Sequence, residues 1–551
     1  MFRDRALTLS RSSSTIGLLV ATTFFAASLT PSLLPRTALI QGVISGAALA
    51  VGYALGLFMR WLWTYMELPG PSRGAMDTAH PWIAGACFFV AIATLSKEAE
   101  WQNSVRRLMG LEPVTYALSL KIALVAFGTF TLLLVLGWFF SLTWRRVSQK
   151  AHRLVPRRIA NVIGLLVAVT LFWGIASGVL LRALLHVADS SFQELDALMK
   201  PERTRPASAL KVGSDASLLK WDELGRQGRE FIATGPTSDK LQACSGKSAM
   251  EPLRVYVGLR SAPTHKARAK LALEELKRVG GFARSTLVIV TPTGTGWVDP
   301  EALDSLEYLT NGDVASVAMQ YSYLGSWLAI FVEPDYGAEA ARALFTEIYE
   351  YWTQLPKSSR PKLYLHGVSL GAMHSEQSAS LFEVLRDPFN GALWSGPPYQ
   401  SKQWASFTAA RNPGSPAWLP SFRDGSLVRF MNQSGKAASS APWGPMRIVY
   451  LQYASDAVTF FEYSSFYREP DWLKPPRGPD VSPSMSWYPV VTFLQLAADV
   501  PVANQAPIGF GHLFAPEHYV DAWLELTTGE VPPSASAARL KQCLQRDANV
   551  Q

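Results

Sequence analysis

Residues 361–376, PKLYLHGVSLGAMHSE, constrain the fold of this chain more than any other stretch. Residues 362–366 are short, mostly apolar and bounded by Pro361 and Gly367, which predicts a buried strand. Residues 372–384 read as a helix. Between them, Gly367-Val368-Ser369-Leu370-Gly371 fits the pattern G-x-S-x-G. A strand, a glycine-flanked serine and a helix together form a nucleophile elbow, in which a strained turn exposes the serine hydroxyl at the strand's carboxyl end. The glycines let strand and helix pass close to that turn. The plain alternative is a serine in an ordinary strand-to-helix turn, and the flanking elements favour the elbow.

Around this serine the chain alternates. Residues 253–259, 286–290, 314–321, 391–394 and 447–453 read as further strands. Helices are expected after Thr264, after Asp299-Pro300 and over 338–352. Strands alternating with helices of this length predict an α/β domain with a doubly wound, mostly parallel sheet. The alternation fails between Pro397 and Pro445 and again between Phe460 and Pro489. These two insertions are rich in Trp, Tyr, Phe and Pro and read as lid-like or binding loops.

The first third of the chain is different. Apolar stretches at 15–34, 37–59, 81–95, 116–144 and 159–185 predict an all-α transmembrane domain over 1–187. Four reach the roughly 20 residues a crossing needs, and the third is short enough to be re-entrant. The basic start MFRDR with Phe25-Ala26-Ala27-Ser28 resembles a signal peptide, but a second apolar stretch follows almost at once, which favours an uncleaved helix. Gly42/Gly46 and Gly52/Gly56 are G-x-x-x-G pairs that suit close helix packing. Residues 188–250 are more polar, are interrupted by Pro201, Pro206 and Pro236, and read as a stem. Residues 251–551 are the expected catalytic domain.

Charge supports this division. Residues 1–185 hold 17 Lys/Arg against 6 Asp/Glu, whereas the remainder holds 34 against 37. The positive excess therefore belongs to the apolar region, where it is a topology signal and not a groove for nucleic acid. Arg145, Arg146, Lys150, Arg153, Arg157 and Arg158 form an acid-free loop before the last apolar stretch. That loop is expected in the cytoplasm, which carries everything after His186 to the outer side of the membrane.

An activated serine needs a base, and the base needs an orienting acid. In a fold of this kind the order is serine, acid, histidine. Asp456 follows a predicted strand directly; Asp471 and Asp480 are alternatives without a strand to place them. Only His512 and His518 lie beyond Asp456. His512 occupies the glycine-rich Gly509-Phe510-Gly511-His512 loop, whereas His518 falls inside a predicted helix, so His512 is the expected base. His366 and His374 read as packing residues. For the oxyanion hole, Leu370 supplies the amide after the nucleophile, and Thr293, in the loop after the 286–290 strand, is the candidate for the second. No Cys/His cluster has metal-ligand spacing, and no cofactor is implied. Of three cysteines, Cys87 is in an apolar stretch. Cys244 and Cys543 both fall in the part expected outside, where disulfides persist, so they are expected to pair.

The chain also resembles a bacterial membrane-anchored α/β-hydrolase family, in which a multi-helix membrane domain precedes a hydrolase-like domain. The resemblance spans nearly the whole chain. It is carried by SLTPSLLPR at 28–36 with Gln41-Gly42-Val43, GRQGR at 225–229, TPTGTGWVDP at 291–300, QYSYLGSW at 320–327, RGPDVSP at 477–483 and WYPVVTF at 487–493. The family usually has Glu before the elbow serine where this chain has Val368, a departure that leaves Ser369 intact. Its Gly-His pattern near Gly511-His512 favours His512 over His518. The resemblance implies a serine-hydrolase-type domain on a membrane anchor.

The expected function is therefore a membrane-bound serine hydrolase of the esterase or lipase type, using Ser369, Asp456 and His512 on an acyl ester. A lipid-like ester is favoured by the aromatic-rich 460–472 segment and the apolar 321–332 run, YSYLGSWLAIFV. Expected partners are that substrate and the bilayer, and no protein partner is legible. An acyltransferase with the same residues and a non-catalytic scaffold on a hydrolase fold are the competing readings.

Overall fold

The computed structural model describes residues 14–69, 73–115, 117–175, 203–323, 336–435, 437, 439, 441–529 and 535–548. The chain divides into two compact units. The first comprises 1–186 with 462–473 and 479–502; the second comprises 187–461, 474–478 and 503–551.

The first unit contains α1 (Thr15–Ser28), α2 (Ala38–Tyr65), α3 (Arg73–Leu108), α4 (Ala117–Ala151) and α5 (Arg157–Trp173). Among the described residues, three helices are long and apolar enough to cross a bilayer: Ala38–Tyr65, Thr78–Leu108 and Ser119–Ala151. Trp82, Phe88, Phe89 and Phe127 lie exposed on α3 and α4, apolar surface that lipid would cover.

This set differs from the expected one. The first apolar stretch does not stay helical to residue 34. α1 ends at Ser28 after 14 residues, about 21 Å at 1.5 Å per residue, short of a bilayer core of roughly 30 Å. The Ser28 and Thr30 hydroxyls donate to the Phe25 and Ala27 carbonyls, and Pro31 has no N–H with which to continue the helix. The third stretch, by contrast, lies in a helix of 36 residues, because helical sequence extends beyond the apolar run at both ends. α5 runs to Trp173, and 176–185 of the fifth stretch lie outside the described residues.

The two glycine pairs serve different neighbours. A Cβ on Gly46 would lie 2.5 Å from the Ala126 carbonyl oxygen of α4, and one on Gly56 would lie 2.6 Å from Gly17 Cα of α1. α2 thus packs closely on both, as small residues permit.

The turn between α1 and α2 is built from buried polar groups. Arg36 Nε donates to Asp499 Oδ1 at 2.9 Å, with both side chains fully buried. Asp499 ends a helix, Val491–Asp499, just beyond the lid-like insertion expected between Phe460 and Pro489. Gln495 on the same helix donates to the Ser28 and Thr30 carbonyls, and Ser104 of α3 bonds Ser482 at 2.7 Å. These contacts place 462–473 and 479–502 with the N-terminal helices.

The second unit is built on a sheet of seven strands, all parallel: β1 (Leu253–Val257), β2 (Thr286–Thr291), β3 (Val314–Met319), β4 (Lys362–Val368), β5 (Gly391–Ser395), β6 (Val428–Met431) and β7 (Arg447–Leu451). Their order is β1-β3-β2-β4-β5-β7-β6, so β4 is central with three strands on each side. Nearly every strand position is buried, as expected for a parallel sheet covered by helices.

Further helices of this unit are α6 (Gly225–Thr234), α7 (Ser238–Ser245), α8 (His265–Arg278), α9 (Pro300–Leu309), α10 (Tyr336–Gln354), α11 (Leu370–Ser378), α12 (Lys402–Ala409), α13 (Pro516–Thr527) and α14 (Ala535–Ala548). They pack in two groups, α8 with α10 and α11, and α9 with α7, α13 and α14. This is the doubly wound α/β architecture expected from the sequence.

Two sequence expectations change here. The described part of 188–250 is not a separate stem. α6 packs on β1, with Gly228 against the Tyr256 ring and the Phe231 carbonyl accepting from Arg254 at 2.8 Å. The first insertion also contains regular structure, α12 and the edge strand β6. β6 is only four residues long and carries a buried Arg429, which pairs with Glu525 and lies 3.9 Å over the Trp443 ring. A charge inside a strand conceals it from apolar patterning; here a distant carboxylate compensates the charge.

Candidate active site

Ser369 follows β4 directly and caps α11, with φ 57° and ψ −127°. A positive φ is costly for a residue with a Cβ, and such strain persists only where the surroundings enforce it. Here they do. The Ser369 amide donates to the Ser395 carbonyl at the end of β5 at 2.9 Å. A Cβ on Gly367 would lie 2.4 Å from the Gly371 backbone, and one on Gly371 would lie 2.2 Å from the Thr291 carbonyl oxygen. Both glycines are therefore needed for this turn. Leu370 opens α11, where first-turn amides have no partner within the helix.

Asp456 lies beyond the end of β7 and is fully buried. Its Oδ1 accepts from the Val458 and Thr459 amides at 2.8 and 3.4 Å, capping a one-turn helix. Its Oδ2 accepts from the Thr459 hydroxyl at 3.0 Å and bonds His512 Nδ1 at 2.7 Å. The cap and the histidine contact thus use different oxygens of one carboxylate. Because an ionised carboxylate only accepts, Nδ1 carries the proton and Nε2 is left with its lone pair. Nε2 is buried and has no hydrogen-bond partner.

The His512 loop is shaped by glycine. Gly509 and Gly511 have φ of 92° and 58°. The Gly511 amide donates to Ser455 Oγ at 2.9 Å, and the His512 amide donates to the Ala503 carbonyl at 3.1 Å. Ser455 and Asp456 therefore hold consecutive residues of the loop.

Gly396 connects these parts. It follows Ser395, the partner of the Ser369 amide, with φ 50°. A Cβ there would lie 2.7 Å from His512 Cε1 and 2.9 Å from Asp456 Oδ2. Gly396 thus touches the His512–Asp456 pair, while the residue before it holds the Ser369 amide. Sequence reasoning missed Gly396, although a glycine directly after a buried strand was the available signal.

The remaining candidates separate clearly. His518 bonds the Tyr453 hydroxyl at 2.6 Å, and burial lowers its pKa. His366 lies under the elbow with Nδ1 against the Leu393 carbonyl at 2.8 Å, and burial pushes its pKa down to about 4, so the ring is neutral. His374 is packed against Gly337 and the Tyr321 ring. Asp471 and Asp480 belong to the first unit.

Thr293 requires a correction. Its amide donates to the Trp297 carbonyl at 2.9 Å, closing the 291–297 loop on itself, so this N–H is already engaged. The loop nevertheless lies against the elbow, as the Gly371–Thr291 approach shows. It leads into Asp299, whose carboxylate caps α9 and accepts from Tyr519 at 2.7 Å. Burial raises the Asp299 pKa to about 6. Sequence reading gave Asp299 only the role of helix cap.

Cys244 and Cys543 form a disulfide that joins α7 to α14, with Cα atoms 6.1 Å apart. Among the described residues, no group of His, Cys, Asp and Glu is arranged to hold a metal ion.

Comparison with known proteins adds the family. Residues 253–541 match the model of the alpha/beta-hydrolase family, and residues 29–236 match the model of that family's N-terminus. No curated protein and no solved structure matches the chain. With its parallel sheet, its elbow serine and both family models along its length, the chain belongs to the alpha/beta-hydrolase family.

Proposed function

We propose that the protein is a membrane-bound serine hydrolase of the esterase or lipase type. The observation that carries this reading is the 2.7 Å bond between His512 Nδ1 and Asp456 Oδ2, in a domain whose elbow serine is held at positive φ. Ser369 Oγ attacks the ester carbonyl carbon while His512 Nε2 takes its proton. The oxyanion is met by the Leu370 amide and by an amide of the 291–297 loop other than that of Thr293. Collapse breaks the bond to the alkoxide, which leaves as an alcohol with the proton from His512. Water, deprotonated by the same nitrogen, then releases the acid and restores Ser369. Asp456 holds the ring in the required tautomer and stabilises the imidazolium. An alcohol in place of water would make the same acyl-enzyme an acyltransferase intermediate.

We assign the substrate to lipid-like esters. Support comes from the three long apolar helices and from Tyr463, Phe466 and Tyr467, which lie exposed in the inserted stretch of the first unit. Aromatic side chains of this kind suit a membrane interface. The other sequence argument weakens. Tyr321 is buried in the domain, and 324–332 lie outside the described residues. Purified full-length protein in mixed micelles is expected to cleave long-chain esters faster than short soluble ones. A preference for short esters would count against a membrane substrate.

The domain carrying Ser369 is assigned to the outer face of the cytoplasmic membrane, on the basic loop 145–158. A reporter active only outside the cytoplasm should work when fused after Gln551 and be silent at Gln149. The reverse pattern would relocate the site to the cytoplasm.

A further inference from the structure

We propose that Asp299, held by Tyr519, is a positioning residue for His512, a second carboxylate that favours the imidazolium formed when Ser369 is activated. The inference rests on the hydrolase reading above. All of these residues belong to the second unit. Asp299 follows the 291–297 loop and caps α9, its Oδ1 accepting from the Glu301 amide at 3.1 Å. Its Oδ2 accepts from the Tyr519 hydroxyl of α13 at 2.7 Å. Tyr519 is fully buried, and its ring centroid lies 6.1 Å from that of Phe514. The Phe514 ring in turn meets the His512 ring at 5.8 Å. Helix cap, tyrosine and histidine loop thus form one continuous contact.

The charges around Asp299 point the same way. Burial, the largest influence on its carboxyl, raises the pKa to about 6, so the group is ionised at neutral pH and above. Asp304 and Glu301, both on α9, repel it, and Glu517 at the start of α13 acts on Glu301. Tyr519 favours the ionised form by donating to it, and burial keeps the tyrosine protonated. His512 also favours the ionised form. Of these groups His512 alone can become positive. The attraction is reciprocal, so the carboxylate stabilises the imidazolium as much as the imidazolium stabilises it. Asp456, the acid bonded to the ring, shares its charge with the Val458 and Thr459 amides and the Thr459 hydroxyl. A second negative charge therefore still contributes when the ring takes the serine proton.

The test is the pH dependence of fluorophosphonate labelling of Ser369 in full-length protein in detergent. Asp299→Asn keeps an oxygen for the α9 cap but carries no charge. Its labelling rate at the alkaline plateau should fall about 5- to 20-fold. The acid limb of its profile should move to lower pH, because the imidazolium has lost a stabilising charge. Tyr519→Phe keeps the carboxyl but removes the hydrogen bond that favours its charged form, so Asp299 ionises at higher pH. Labelling of this variant should reach the wild-type plateau, with its rise displaced to higher pH. Loss of packing alone would not displace the limb in opposite directions from the two ends of one hydrogen bond. If Asp299→Asn does not accumulate, Tyr519→Phe carries the test. A wild-type profile in either variant, or a lower rate with an unmoved limb, would overturn the inference and leave the hydrolase reading intact. Absence of an adduct on Ser369 in the wild type would overturn both.

Discussion

Ser369→Ala is expected to abolish covalent labelling by a fluorophosphonate and to lower ester hydrolysis by at least about 10⁴-fold. The probe needs an oxygen nucleophile at the elbow, and alanine at φ 57° keeps the turn without supplying one. His512→Ala should label far more slowly, because Ser369 then has no base. Asp456→Asn is the sharper control. An asparagine oxygen can still cap the turn at Val458, so the fold should survive. The amide can also donate, however, and it no longer selects the ring tautomer with the proton on Nδ1. A loss of about 10⁴-fold in turnover with little change in stability is expected. Full labelling of the Ser369→Ala protein, or wild-type turnover by Asp456→Asn, would remove these residues from the mechanism.

Loss of the Cys244–Cys543 disulfide is expected to cost about 4–5 kcal/mol, because the bond closes a loop with a sequence separation of 299 residues. The bond ties α7, which precedes the first strand, to α14 near the end of the described chain. Without it, the unfolded domain regains the freedom of nearly its whole length. The site is otherwise modest: Leu241, Tyr308, Val520 and Leu544 form a small apolar cluster around Cys244. Thermal unfolding of the paired alanine variant should begin about 10 °C below the wild type. Alkylation of the denatured, unreduced protein should leave both cysteines unmodified. Equal unfolding midpoints with and without reductant would show that the apolar cluster alone holds α14 in place.

What the sequence determined by itself was local or compositional. Six of the seven strands were legible because continuous apolar runs between turn residues have few alternatives. The elbow was legible because two glycines and a serine at fixed spacing describe a backbone conformation. Asp456 and His512 were named from chain order, and the structure places them 2.7 Å apart. The cysteine pair was named because only two thiols lay outside the apolar region.

Tertiary structure decided the rest, and in each case the deciding contact was distant or depended on geometry. β6 was invisible because Arg429 interrupts it, and its compensating carboxylate, Glu525, is 96 residues away. The Thr293 amide looked available until the loop was seen to close on Trp297. The segment between Phe460 and Pro489 read as a lid-like insertion because its own composition is that of a loop, but most of it, with the helix after it that ends at Asp499, folds with the N-terminal helices. Arg36 lies 463 residues before its partner Asp499, and no local pattern in either segment records that pairing. Periodicity and turn chemistry are written in neighbouring residues. The pairing of two buried charges is a property of the space between them, which exists only once the chain has folded.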